Sequence, residues 1–133
     1  MIDFQRLRML QKQEEQLRWM IIRAEARATR TTRTISGMPH GGGTGQMMEE
    51  QVVMIATLKE KYIEVCEELN QKRTELKKLI KYIKNPNQNL AVQMRYLHGD
   101  KIKTICEIMS YSDRQVIRFL RDGEREIIKR ADP

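Results

Sequence analysis

The stretch DKIKTICEIMSYSDRQVIRFLRDGEREIIKR, residues 100–130, decides the fold of the C-terminal third of this chain. Its first part predicts a short amphipathic helix, with isoleucines recurring on one face. The break at Ser110-Tyr111 predicts a tight turn. Ser112 then begins a second helix, in which Gln115 completes a capping box with the Ser112 hydroxyl. Two helices joined by a tight turn are therefore expected here.

Residues around the turn agree with this interpretation. Gly99 predicts a left-handed stop before the first helix, and Asp100 is expected to be the N-cap of that helix. Cys106 is small enough to let the second helix cross closely. Ser110 stands where the turn needs a permissive residue, a position more often taken by glycine. Val116 would close the small core, as expected for a helix-turn-helix.

The second helix has two chemically distinct faces. Its inward face is apolar and consists of Val116, Phe119 and Leu120. Its outward face carries Asp113, Arg114, Ile117, Arg118 and Arg121. A basic helix after a tight turn is the docking unit of many DNA-binding proteins. A plain helical bundle with solvated surface charges is the alternative.

If the unit docks on DNA, its exposed residues divide into two groups. The candidates for reading base edges are Asp113, Arg114, Gln115 and Arg118, because arginine pairs with guanine, glutamine with adenine and aspartate with cytosine. The candidates for holding phosphates are Lys101, Lys103, Ser112, Arg121 and Arg125. Gln115 also has the competing capping role, and the alternative role of Asp113 is to balance the helix dipole.

The N-terminal part predicts an assembly region over residues 1–84, followed by a DNA-binding domain over residues 85–133. Apolar residues recur at steps of three and four in a first helix, residues 2 to about 28, and in a long helix over 47–84. We expect an antiparallel hairpin whose remaining apolar stripe is covered by a second subunit, with a dimer favoured. Asn85 and Pro86 end the long helix.

Residues 29–46, TRTTRTISGMPHGGGTGQ, predict a loop because threonine, glycine and one proline dominate. Arg30 and Arg33 are candidates for contacts to DNA from a flexible arm. A disordered connector is the alternative.

Composition narrows the class of protein. The 133 residues carry a net charge of +7, which favours polyanionic partners. Only 5% of them are aromatic, which predicts an all-α fold with an aliphatic core. The sequence predicts no membrane span and no signal peptide, and its two cysteines suit a reducing cytoplasm. We expect no metal site, no cofactor and no enzymatic activity, because neither a nucleophile–base pair nor a phosphate-binding loop is evident.

The segment over residues 89–127 resembles region 4 of bacterial sigma factors. The resemblance rests on the lead-in RYLHG, residues 95–99, and on ICEIMSYSDRQV, residues 105–116. The whole chain is similar to small phage-encoded regulators of the ArpU and RinA type, including its stretch from Ala28 to Gly43. Gly123 inside the last helix departs from the pattern and is expected to shorten or kink that helix.

This resemblance implies binding to phage promoter DNA and control of late-gene transcription in the cytoplasm of a bacterial host. It also implies possible contact with RNA polymerase. Two alternatives stay open: a protein-interaction module that contacts the polymerase, and a DNA-packaging subunit similar to small terminases. An RNA-binding adaptor is less favoured, since no aromatic stacking platform is visible.

Overall fold

The computed structural model describes residues 2–35 and 43–131, and the side chains of residues 2–30 and 48–130. These residues form an all-α fold, as predicted, with no strand among them. The helices are α1 (Phe4–Ile35), α2 (Gly43–Leu79), α3 (Pro86–Val92), α4 (Ile102–Met109) and α5 (Asp113–Ala131). A 3-10 turn, Ile80–Tyr82, follows α2, and a π-helical segment, Gln93–Leu97, continues α3.

The predicted loop over 29–46 is wrong at both of its ends. Helix α1 continues to Ile35, and α2 already begins at Gly43. Thr29 shows why threonine does not end α1, because its hydroxyl donates to the Glu25 carbonyl at 2.9 Å, within the helix. The remaining part of the prediction, residues 36–42, lies outside the described residues.

The contacts divide the chain into two compact units. Unit 1 comprises Met1–Gln11 together with Glu68–Pro133, and unit 2 comprises Lys12–Glu67. The sequence instead predicts a functional boundary at residue 84, between assembly and DNA binding. Compactness does not test that boundary, which stays a prediction.

Unit 1 has an aliphatic core to which both of its chain segments contribute. Leu7 and Leu10 of α1 are fully buried. The rest of the core comes from the C-terminal segment, with Leu76, Ile83, Val92, Ile105, Val116 and Ile127. Burial of several aliphatic side chains stabilises the unit by about 1.5–3 kcal/mol for each. This core fixes the position of α5.

The start of α3 follows directly from local sequence. The Asn85 side chain accepts hydrogen bonds from the backbone N–H groups of Asn87 and Gln88, and Pro86 occupies the first helical turn. Asparagine as N-cap and proline at the first position are both favoured. Asn89 then donates to the carbonyls of Ile80 and Ile83, at 3.0 Å each, which satisfies the end of the 3-10 turn.

The buried face of α3 differs from the expected one. The apolar pattern predicts that Leu90, Met94 and Leu97 point inward, and Met94 is buried as expected, but Leu90 is 45% exposed. Ala91 and Val92 are fully buried instead. The reason is Gly123 of α5, whose missing side chain lets α5 approach Val92 closely. Gly123 neither ends nor shortens α5, which continues to Ala131.

Unit 2 pairs part of α1 with part of α2. The Tyr62 hydroxyl donates to the Glu14 carboxylate at 3.0 Å, and Lys59 forms an ion pair with Glu25 at 2.9 Å. The order of these contacts along the two helices is that of an antiparallel pair. The bond to Glu14, with burial and Cys66 contributing less, raises the pKa of Tyr62 to about 12. The hydroxyl therefore stays protonated and able to donate.

Candidate nucleic-acid interface

The turn between α4 and α5 has the predicted backbone geometry. Ser110 ends α4 in the left-handed conformation, with φ 60° and ψ 41°. Its N–H and that of Tyr111 both donate to the Cys106 carbonyl. Such bonds satisfy a carbonyl that the end of a helix leaves unpaired. The sequence-based role of Ser110 is therefore confirmed.

Ser112 is the N-cap of α5 as predicted, whereas the N-cap of α4 differs from the prediction. The Ser112 hydroxyl accepts a hydrogen bond from the Gln115 backbone N–H at 3.3 Å, so Ser112 caps α5. Gly99 has a φ of 77°, as expected for a left-handed stop. The prediction that Asp100 caps α4 is wrong, because Lys101 is the N-cap, without a side-chain bond. The Asp100 backbone is instead held by Met94 and Arg95.

Asp113, a predicted base-reading residue, connects the two helices. Its carboxylate accepts a hydrogen bond from the Cys106 thiol, with 3.1 Å between Sγ and Oδ1. Burial and this hydrogen bond raise the pKa of the Cys106 thiol. Asp113 also lies in the first turn of α5, where a negative charge is favourable. The position of Asp113 therefore suits a structural role as well as a binding role.

Four arginines form one exposed stripe along α5. At 100° per residue, their positions fall within about 60° of one another around the helix axis and extend over about 16 Å. The members of this arginine stripe are Arg114, Arg118, Arg121 and Arg125, all exposed. The buried residues of α5 lie on the opposite side of the helix: Val116, Phe119, Leu120, Gly123 and Ile127. Packing of α5 in unit 1 therefore presents the stripe to solvent.

Two carboxylates flank the arginine stripe. Asp122 lies 3.9 Å from Arg125, an exposed pair that stabilises little. The Glu124 carboxylate accepts a hydrogen bond from the Tyr96 hydroxyl. Burial raises the pKa of Glu124, although the Tyr96 bond and the charges of Arg95 and Arg121 act in the opposite direction. Glu124 is thus turned toward Tyr96, and the stripe keeps its positive character.

The other predicted contact residues lie in different surroundings. Lys101 and Lys103, at the start of α4, are exposed, whereas Gln115 is half-buried beside the N-cap. Arg30 lies in helix α1 of unit 2, so the prediction that it belongs to a loop arm is wrong. Arg33 falls within α1, and its side chain lies outside the described residues.

Apolar side chains beside the stripe were not identified as site residues from the sequence. Tyr111 packs edge-on against Phe119, with 5.1 Å between ring centroids, and its hydroxyl accepts a hydrogen bond from the Asn87 side chain at 3.3 Å. Tyr111, Ile117 and Ile108 are all substantially exposed. For Ile117, the signal is an apolar residue at an outward position of the otherwise charged α5.

The comparisons with known proteins identify one family. The model of the family described as "Protein of unknown function (DUF1492)" matches residues 30–127, about three quarters of the chain. The chain belongs to this family. No curated protein and no solved structure matches it. The family match includes the complete turn, the arginine stripe and Tyr96.

The described residues also bear on metal sites and membrane spans. Histidine, cysteine, aspartate and glutamate side chains form no group of three suited to a metal ion within those residues. The helices over the same residues include none that is long and apolar enough to cross a bilayer.

Proposed function

We propose that the protein is a sequence-specific regulator of transcription that binds double-stranded DNA through α5. The observation that carries this proposal is the arginine stripe, which is exposed on the helix directly after a tight turn. The resemblance of this region to sigma region 4 supports promoter DNA as the target, in the cytoplasm of a bacterial host. The proposed context is the control of phage or prophage late genes.

The positions along α5 suggest how DNA is read. The N-terminal residues of a recognition helix contact base edges, so Arg114 and Arg118 are assigned to guanines in the major groove. Arg121 and Arg125 lie further along the helix and are assigned to phosphates, together with Lys101 and Lys103. Asp113 is a weaker candidate for reading bases, because its carboxylate already accepts a hydrogen bond from Cys106.

Unit 2 is assigned to self-association. Large apolar side chains are exposed on both of its helices, among them Ile22, Val52, Val53 and Ile63. Exposed apolar side chains in such numbers are typical of a surface that another chain covers. A dimer would place two copies of α5 on repeated half-sites. Light scattering tests this point, since dimers agree with a regulator and ring-sized assemblies would favour a packaging subunit.

The decisive experiment selects DNA fragments bound by the intact protein from a phage or host genome and then measures affinity by fluorescence anisotropy. We expect one enriched short sequence. Arg118→Ala should weaken binding to it by about 1–3 kcal/mol and relax the preference at one base pair. Arg121→Ala should weaken binding to all sequences alike and reduce the salt slope by about one.

Arg23→Ala is the matched control, because it removes the same charge from an exposed position of α1 in unit 2. Its effect on specific binding should be small. If fragments bind weakly without any enriched sequence, and binding vanishes with added salt, the proposed regulator is wrong. A protein-interaction module that contacts RNA polymerase would then be the better proposal.

A further inference from the structure

A cleft in unit 1 lies apart from the arginine stripe, between the C-terminal part of α2 and the π-helical segment with the residue that follows it. Its volume is about 680 Å³, within the range of sites for small molecules. Helix α2 contributes residues spaced by three and four, which therefore share one face of that helix. The polar lining consists of Asn70, Arg73, Thr74, Lys77, Gln93 and His98.

Arg73 is the unusual residue of this cleft. Its Nε atom is buried, and it has no hydrogen-bond partner among the described residues. A buried donor of a charged group without an acceptor is costly, and such groups are normally paired. This nitrogen therefore lacks an acceptor at a position that solvent does not reach.

The charge of the cleft is positive. None of its lining residues is a carboxylate, and within the described part of the chain neither Arg73 nor Lys77 forms an ion pair. The Thr74 hydroxyl already donates to the Asn70 carbonyl at 2.8 Å, and the Gln93 amide donates to Asn89. Besides the side chains of Asn70 and His98, the donors still open to a ligand are therefore the two cationic groups of Arg73 and Lys77. Their natural acceptor is an anion.

We propose that this cleft binds the phosphate group of a small phosphate monoester. A planar guanidinium presents parallel donors that match a phosphate, and Lys77 adds a second positive charge. Ile80 and Leu97 complete the lining and provide apolar surface for the organic part of the ligand. A terminal phosphate presents three oxygens to donors inside a cleft, whereas an internal phosphate of a broad duplex is flanked by sugars on both sides.

The test follows the Arg73 Nε–H signal directly, by ¹H–¹⁵N correlation spectroscopy of the full chain, with the signal assigned by its loss in Arg73→Lys. The probes are inorganic phosphate and adenosine monophosphate, and chloride at equal ionic strength is the control. We expect a saturable shift of the Arg73 signal with both phosphates and none with chloride. The apolar lining predicts tighter binding of the monophosphate.

Two lysine variants make the test specific. Lys77→Gln should weaken phosphate binding about tenfold, the usual effect of losing one charge-assisted contact. Lys78→Gln removes the same charge from the next position of α2, which is exposed and does not line the cleft, and should leave binding nearly unchanged. Circular dichroism of both variants checks that the helices remain intact.

Three results would overturn the proposal. The first is the absence of a saturable shift with either phosphate, and the second is equal weakening by the two lysine variants. The third is an Arg73 signal that moves with duplex DNA but not with the small phosphates, which would assign the cleft to the nucleic-acid backbone. DNA binding through α5 is measured separately with the Arg118 and Arg121 variants, so either proposal can fail while the other stands.

Discussion

The side-chain amide of Gln11 donates a hydrogen bond to the backbone carbonyl of Tyr96, with 2.8 Å between Nε2 and O. Gln11 is only 8% exposed, and its amide oxygen accepts a hydrogen bond from Arg8. The Tyr96 carbonyl lies in the π-helical segment, where backbone hydrogen bonding departs from the regular α-helical pattern. This bond therefore joins the two chain segments of unit 1 at a buried polar position.

Gln11→Ala should destabilise the protein, because it leaves the buried Tyr96 carbonyl without the hydrogen-bond donor that Gln11 provides. We expect the free energy of unfolding to fall by about 1–3 kcal/mol. Urea denaturation followed by circular dichroism measures this change. Gln16→Ala, at an exposed position of α1, is the control and should shift the midpoint very little. Equal effects of the two variants would contradict the assigned role of Gln11.

Gly123→Ala should also destabilise the protein, although alanine is the better helix former. A Cβ at this position would lie 2.7 Å from the Val92 Cγ2 atom, and valine is too stiff to move aside easily. Overpacking costs about 1–3 kcal/mol, against a gain of about 1 kcal/mol in helix propensity. Thermal unfolding should therefore show a lower midpoint for this variant.

A double variant tests whether the contact with Val92 causes this destabilisation. In Val92→Ala the clashing methyl group is absent, so adding Gly123→Ala should become neutral or stabilising. A stabilising effect of Gly123→Ala in the unaltered protein would show that α5 does not approach Val92 closely.

Ser110→Gly should stabilise the protein. Ser110 is exposed and has a positive φ, a conformation that costs a residue with a side chain about 1–2 kcal/mol. After the greater chain entropy of glycine is subtracted, we expect a gain of about 0.5–1 kcal/mol in the free energy of unfolding. Ser112→Ala should have the opposite effect and lose about 1 kcal/mol, because Ser112 caps α5. Responses of the same sign would be inconsistent with this turn geometry.

Glu124→Gln should change how stability depends on pH. Burial raises the pKa of Glu124 above its ordinary value of 4.5. The folded state therefore holds the proton more tightly than the unfolded chain, and this contribution to stability is lost as pH rises through the raised pKa. The stability of Glu124→Gln relative to the unaltered protein should increase as pH rises above the ordinary value of 4.5 and through the raised pKa.

Urea denaturation at several pH values measures that difference. Tyr96→Phe provides a further check, since removing the hydroxyl removes a hydrogen bond that lowers the pKa of Glu124. The decrease in stability with rising pH should then extend to higher pH. This role of burial would be excluded if the free energies of unfolding of Glu124→Gln and the unaltered protein differed by the same amount at every pH.

Local features of the structure were predictable from the sequence, whereas contacts between distant segments were not. The inward positions of Val116, Phe119 and Leu120 follow from helical periodicity, and the roles of Ser110 and Ser112 follow from turn and capping chemistry. Each of these depends on only a few neighbouring residues. The all-α class follows in the same way from composition and pattern.

The incorrect predictions concern residues whose contacts lie far away in the sequence, or polar side chains whose hydrogen-bond partners the sequence does not reveal. Gly123 suggests a weak point in an isolated helix, but its function becomes evident only beside Val92. Thr29 suggests a loop until its hydroxyl is seen to bond within the helix. The unpaired Nε of Arg73 has no sequence signal at all, because its burial depends on how α2 packs in unit 1.

The discontinuity of unit 1 has a consequence for how the protein is made. Leu7 and Leu10 are fully buried against side chains that follow Glu68. Residues 12–67 separate these two segments in the chain. A ribosome delivers the N-terminal segment first, and that segment then lacks its partners until α3, α4 and α5 have been synthesised. Closing so long a loop delays these contacts further. The core that fixes α5 is therefore completed only after α5 itself has left the ribosome.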